Sequence, residues 1–177
     1  MVHKFINRVT ATNSLKVGEG LAPCTKRVQH VPHRSESGRI IFVDTPAFPD
    51  PDAKKPRTPQ DEIRRIENEI GKWMKERFGG GRVQVTGILY LYNIHQRRMT
   101  NPPRPHFEMF KKLCGDDYTG HVLLVATMWE TVKAEELRKK RKAELMKHWG
   151  DMVVEHHGTQ ESARSIVNTL LHPGRGL

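Results

Sequence analysis

Four consecutive apolar residues, Ile40-Ile41-Phe42-Val43, run straight into Asp44-Thr45-Pro46. A short apolar run bounded by Gly38 and Pro46 predicts a strand buried on both faces, and open α/β sheets bind ligands at the carboxyl ends of their strands. Asp44 then stands at the edge of a site, where its carboxylate could serve a magnesium ion, which takes hard oxygen ligands. The alternative for the same residues is a buried strand that ends in an ordinary Asp-initiated turn. Other reactive residues form no constellation. Among the 10 histidines, His30 and His33, and His156 and His157, lie close in sequence, but none has H-E-x-x-H spacing or sits beside a Cys pair. Cys24 has no His and acid in recognisable relation to it, so it reads as a passive thiol.

The elements that must position Asp44 follow from the pattern. Lys4 to Val9 is a short amphipathic start, and Gly18, Gly20 and Pro23 make Asn13 to Thr25 a loop. Lys26 to His30 reads as an edge strand, joined by a hairpin through Ser35-Glu36-Ser37-Gly38 to the strand that ends at Asp44. Pro49, Pro51, Pro56 and Pro59 exclude helix from 48 to 59 and predict an exposed loop just after Asp44. Thr58, Pro59 and Asp61 then give a helix start, with Ile63, Ile66, Ile70, Trp73, Met74 and Phe78 on one face and Gly79-Gly80-Gly81 at its end.

Further along, Gly87-Ile-Leu-Tyr-Leu-Tyr and His121 to Thr127 read as buried strands, with a short helix through Phe107, Phe110 and Leu113 between them. A long basic helix is predicted over Val132 to Trp149, a short strand over Met152 to Val154 and a closing helix over Ser162 to Leu171. Strands alternating with helices imply an α/β fold: three layers, with a mostly parallel sheet covered by helices on both faces.

Composition limits the function classes. The chain has 177 residues, enough for one domain with a core, and 30 Lys and Arg against 20 Asp and Glu give a formal charge of +10. That excess suits polyanionic partners such as nucleotides, nucleic acid or acidic membranes without choosing among them. Two cysteines without CxxC spacing indicate neither a disulfide framework nor a zinc site, and point to a reducing compartment, the cytoplasm. No apolar run approaches the roughly 20 residues needed to span a bilayer, so no transmembrane segment is expected. The run Arg138-Lys139-Lys140-Arg141-Lys142 reads as a solvated helix face paired with Glu135, Glu136 and Glu144. Nucleic acid is the less favoured partner, because no aromatic residues interleave with these cations.

In their order and spacing these motifs resemble the P-loop GTPases of the septin and immunity-associated (AIG-type) branch. Asp44-Thr45-Pro46 resembles the family's D-T-P-G, the strand Gly87 to Tyr92 and the segment Gly158-Thr159-Gln160-Glu161-Ser162-Ala163 are similar to their counterparts, and Thr25 matches the switch-I threonine. The resemblance implies a G domain over 1–177 with 48–59 as a switch-like loop. It implies that Thr25 and Asp44 serve magnesium, and that Thr45, Pro46 and Ala47 lie on the γ-phosphate side. It also implies that Trp129 and Glu130 lie at the base: Trp129 by stacking or by packing on the core, Glu130 by accepting from guanine.

The sequence departs from the family in several places. No G-x-x-x-x-G-K-[ST] occurs, and Met1 to Val9 resembles the helix that follows such a loop, which implies an amino-terminally incomplete G domain lacking its first strand. Loss of that strand is expected to expose two inner sheet edges and leave the isolated chain marginal or partner-dependent. Ala47 replaces the Gly of D-T-P-G, and Phe48 stands where some relatives carry a water-positioning Gln. Ala126-Thr127-Met128-Trp129-Glu130 replaces the usual N-K-x-D. The expected function is therefore guanine-nucleotide binding with impaired hydrolysis and no assigned catalytic residue. The alternatives are a non-catalytic module that associates with itself or with related GTPase-like domains, and a basic nucleic-acid binder.

Overall fold

The computed structural model describes residues 1–17, 25, 27–35, 38–46, 58–79, 85–95, 108–109, 112 and 121–172. In chain order the elements are α1 (Val2–Thr10), β1 (Gln29–Ser35), β2 (Gly38–Asp44), α2 (Pro59–Phe78), β3 (Gly87–Asn93), β4 (His121–Thr127), α3 (Glu135–Trp149), β5 (Val153–Glu155) and α4 (Gln160–Leu171). Of the predicted short helix, Phe107, Phe110 and Leu113 lie outside the described residues, while residues 108–109 and 112 are helical; Ala47, Phe48 and nearly all of the loop 48–59 also lie outside the described residues. The chain divides into two compact units, one of residues 1–13, 86–100 and 119–177, the other of residues 14–85 and 101–118.

The first unit is built on a parallel sheet of order β3-β4-β5. Its centre is β4, where Leu124, Val125 and Ala126 are each 0% exposed, as expected of a strand covered on both faces. Helix α1 presents Phe5, Ile6 and Val9 to the core and packs on α4, which contributes Ala163, Ile166, Val167 and Leu170. The Arg164 Nε–H donates to the Val9 carbonyl at 3.2 Å, tying the end of α1 to α4. Gly87 permits the close fit of α4 on β3, since a Cβ there would lie 2.6 Å from Leu170 Cγ. Trp149, at the end of α3, packs its ring 6.1 Å from that of Tyr90 on β3. Burial raises the pKa of both Tyr90 and Tyr92.

The second unit holds an antiparallel ribbon, β1 paired with β2 from Gln29↔Asp44 to Ser35↔Gly38. Gly38 takes φ +119° at the hairpin, and Ser35 Oγ donates to its carbonyl at 3.0 Å. Helix α2 begins as predicted: the Thr58 side chain accepts from the Asp61 N–H at 3.2 Å, Pro59 leads the first turn, and Gly79 ends the helix at φ +63°. Ile66 and Ile70 form a small core with Met109, flanked by Val28, Ile63 and Met74.

Two sequence expectations are corrected here. Strand β2 is not buried on both faces: Ile41 is 41% and Val43 39% exposed, while Asp44 is 2% exposed. A two-stranded ribbon covers one face and leaves the other to solvent, so the apolar run alternates in burial. The strands also do not fall in one sheet: among the described residues β1 and β2 form the antiparallel hairpin expected from the sequence, and β3, β4 and β5 make a second, parallel sheet. Among the described residues no helix is long and apolar enough to cross a membrane.

Candidate functional site

In the second unit, β2 carries Asp44 to its carboxyl end, opposite Gln29. A carboxylate this buried requires hydrogen-bond donors. One is the hydroxyl of Thr25, 19 residues earlier, whose Oγ1 donates to Asp44 Oδ2 at 2.6 Å. The length is that of a charge-assisted O–H···O⁻ bond. Thr45 follows half-buried and Pro46 buried, so the turn after Asp44 is fixed close to the protein. The pair thus offers a hydroxyl and a carboxylate side by side, a donor set of hard oxygens that fits magnesium. No group of three or more His, Cys, Asp or Glu that could hold a metal occurs among the described residues.

In the first unit, the carboxyl ends of β3, β4 and β5 bring a second set of groups together. Thr127 Oγ1 donates to the Tyr92 carbonyl at 3.0 Å and locks the end of β4 to β3. Met1 Sδ lies 2.8 Å from the same hydroxyl, so α1 begins at this strand end. After Thr127 the backbone turns through Met128 at φ +67° into a 3-10 turn, Trp129–Thr131. Trp129 is 3% exposed and its indole N–H donates to the Ala126 carbonyl at 2.9 Å. Of the two roles open to it from the sequence, the structure gives it packing on the core, because almost none of its surface is left for a base. Glu130, the next residue, is exposed.

The loop after β5 faces the same end of the sheet. The His156 N–H donates to the Ala126 carbonyl at 2.8 Å and continues the strand pairing, and Phe5 meets the His156 ring edge-on at 5.2 Å. The Ser162 Oγ accepts from the His157 N–H at 3.0 Å and stands 2.8 Å from His156 Nδ1. The direction of the bond between Ser162 Oγ and His156 Nδ1 follows the tautomer of the ring, since the hydroxyl can donate to Nδ1 or accept from it. The His156 pKa is lowered, first by burial and then by the charge of Arg8; Glu130 opposes the shift and His157 adds to it. Gly158 follows at φ +74°, and a Cβ built on it would lie 3.4 Å from both Arg8 Nη1 and Glu130 Oε1.

The sequence pointed to Thr25, Asp44 and Glu130 as candidates, weighed His156 only for metal, and did not point to Arg8. Arg8 is one cation among thirty. Nothing in its local pattern marks it; only the packing of α1 beside the β5–α4 loop does so.

No protein family matches the sequence, and no curated protein does. The solved structures do give a match. The chain is similar to Era, a P-loop GTPase, as seen in its complex with MgGDPNP and nucleotides 1506–1542 of 16S ribosomal RNA. The TM-score is 0.59 and the identity 14%, with 99% of this chain and 54% of that chain covered. The chain thus spans about half the length of that protein. The likeness shows the fold alone: a mixed α/β fold like that of Era.

Proposed function

We propose that this chain is a guanine-nucleotide-binding domain of the P-loop GTPase class, of the septin and immunity-associated branch. The observation that carries the reading is the 2.6 Å hydrogen bond between Thr25 and Asp44. The resemblance assigns these two residues independently to one magnesium ion, and in the fold they touch. When bound, the ion neutralises phosphate charge. Thr25 and Asp44 hold it, Thr45, Pro46 and Ala47 lie on the γ-phosphate side, and Glu130 accepts from the donors of the base. Trp129, anchored in the core, carries Glu130 on its turn. The sequence holds no G-x-x-x-x-G-K-[ST], so we assign no hydrolytic residue and propose that hydrolysis by the chain as it stands is impaired. A reducing, cytoplasmic setting belongs to the same proposal.

A second reading, a non-catalytic module that associates with another GTPase-like domain, is favoured by the outer face of the β1–β2 ribbon. There Ile41 and Val43 are exposed, and Arg34 stands opposite Arg39 with no acid among the described residues of that face. Nucleic-acid binding through α3 gains less support. Lys139 pairs with Glu135 at 2.9 Å, Lys142 with Glu155 at 2.6 Å, and the Arg138 Nε–H donates to the Val132 carbonyl at 2.5 Å.

Equilibrium binding of a fluorescent GDP, with magnesium and then with EDTA, tests the first reading. Saturable binding that needs magnesium and is lost in Asp44→Ala supports it. Absence of binding by the wild-type chain, together with a stable complex with a second copy or a related domain, transfers the assignment to the second.

A further inference from the structure

Two opposite charges converge on one glycine at the carboxyl end of the parallel sheet. The Arg8 Nη1 and the Glu130 Oε1 each stand 3.4 Å from the point a Cβ would occupy on Gly158, whose φ of +74° itself favours glycine. Both side chains are exposed, and neither has a hydrogen bond or an ion pair among the described residues. They have not closed on each other, although both are near enough to His156 to act on its titration. A ligand that meets both presents hydrogen-bond donors to the carboxylate and, beside them, an acceptor to the guanidinium. Guanine does this on one edge: N1–H and the 2-amino group donate, while the neighbouring O6 accepts.

We infer that Arg8 is a specificity-determining residue that donates to O6 of a bound guanine, while Glu130 accepts from N1–H and the 2-amino group. The inference rests on the reading of this chain as a nucleotide-binding domain. The division of labour follows from donor chemistry. A guanidinium cannot accept and an ionised carboxylate cannot donate, so the two charges together admit only a base with donors and acceptors in this order. Adenine presents a 6-amino donor to Arg8 and an N1 acceptor to Glu130, leaving both charges facing groups of the wrong kind. Gly158, lacking a Cβ, leaves the approach to both groups open. Met128 stands where the family motif has a lysine, so the cation at this base comes from α1 instead.

The test is competition against a fluorescent GDP on the whole chain, using GDP, ADP and 2-aminopurine riboside diphosphate, which keeps the 2-amino group but lacks O6. Wild type should prefer GDP over both competitors. Arg8→Ala should weaken GDP about tenfold or more while changing the 2-aminopurine analogue little, because that ligand has no O6 to lose. Glu130→Gln should weaken GDP and narrow the gap to ADP, whose N1 can accept a hydrogen bond from the amide. Thermal melting of each variant within a few degrees of wild type shows that the change is in binding; Arg8→Met replaces an Arg8→Ala that melts early, and Glu130→Ala a Glu130→Gln that does. An Arg8→Ala chain that binds GDP as wild type does, while Glu130→Gln does not, overturns the role of Arg8 and leaves the nucleotide reading intact. Failure of all three ligands to displace the probe from wild type overturns both.

Discussion

Thr25 donates its hydroxyl proton to Asp44 at 2.6 Å across 19 residues of chain. The bond anchors the segment that carries Thr25 to the end of β2, and it satisfies a carboxylate that is 2% exposed. In the reading developed above, the same two oxygens meet a magnesium ion, so one contact serves both the fold and the site.

Thr25→Val keeps the volume of the side chain but removes the donor. The Asp44 carboxylate then stays buried with one fewer partner, and stability should fall by about 1–3 kcal/mol, the usual cost of a buried polar group deprived of a partner. Urea denaturation measures this through a lower midpoint at unchanged slope. An unchanged midpoint would mean that the bond is not a stabilising contact of the second unit.

Gly87 is a packing position. A Cβ there would lie within 2.6–2.8 Å of the Leu170 Cγ and both Cδ atoms, so Gly87→Ala forces α4 away from β3 or Leu170 out of its rotamer. The expected loss is about 1–3 kcal/mol. Adding Leu170→Ala should recover part of it in a double-mutant cycle. Strict additivity of the two changes would contradict the contact.

His156 should make stability depend on pH below neutrality. Its folded pKa lies under the ordinary 6.5, so the unfolded chain takes up a proton first as pH falls. The contribution of the neutral ring is present in full above 6.5. It diminishes as pH drops below that value, and is gone once the folded ring titrates as well. Arg8 and His157 disfavour the cation and Glu130 favours it, so Arg8→Ala should move the decline to lower stability cost, and Glu130→Gln should deepen it. His156→Asn should flatten the curve of melting temperature against pH between 5 and 7. A curve of unchanged steepness in His156→Asn would assign the dependence to another group.

The parts of this fold that were legible in the sequence are those set by local rules. Thr58, Pro59 and Gly79 mark α2 because capping and left-handed termination act within one turn, and the register of the hairpin follows from Ser35 to Gly38. The strand His121–Thr127 declares itself by unbroken apolar character. The burial of β2 was misread because a run of four apolar residues looks alike whether helices cover both faces or a lone partner strand leaves one in water. Trp129 was ambiguous because an aromatic at a strand end packs or stacks with the same local pattern; its hydrogen bond to Ala126 decides between them. Arg8, Glu130 and Gly158 meet only through the packing of α1 and α4, across separations for which no periodicity exists.

The central claim is that Thr25 and Asp44 hold a nucleotide-bound divalent cation. Manganese can stand in for magnesium, and the electron-spin resonance of free Mn²⁺ reports how much is captured when chain and GDP are mixed. The account predicts that wild-type chain with GDP removes most of the free signal beyond what GDP alone removes, and that Thr25→Ala weakens this. Asp44→Asn should abolish it. Equal capture by wild type and Asp44→Asn would contradict the claim, and so would no capture by wild type beyond that of GDP alone.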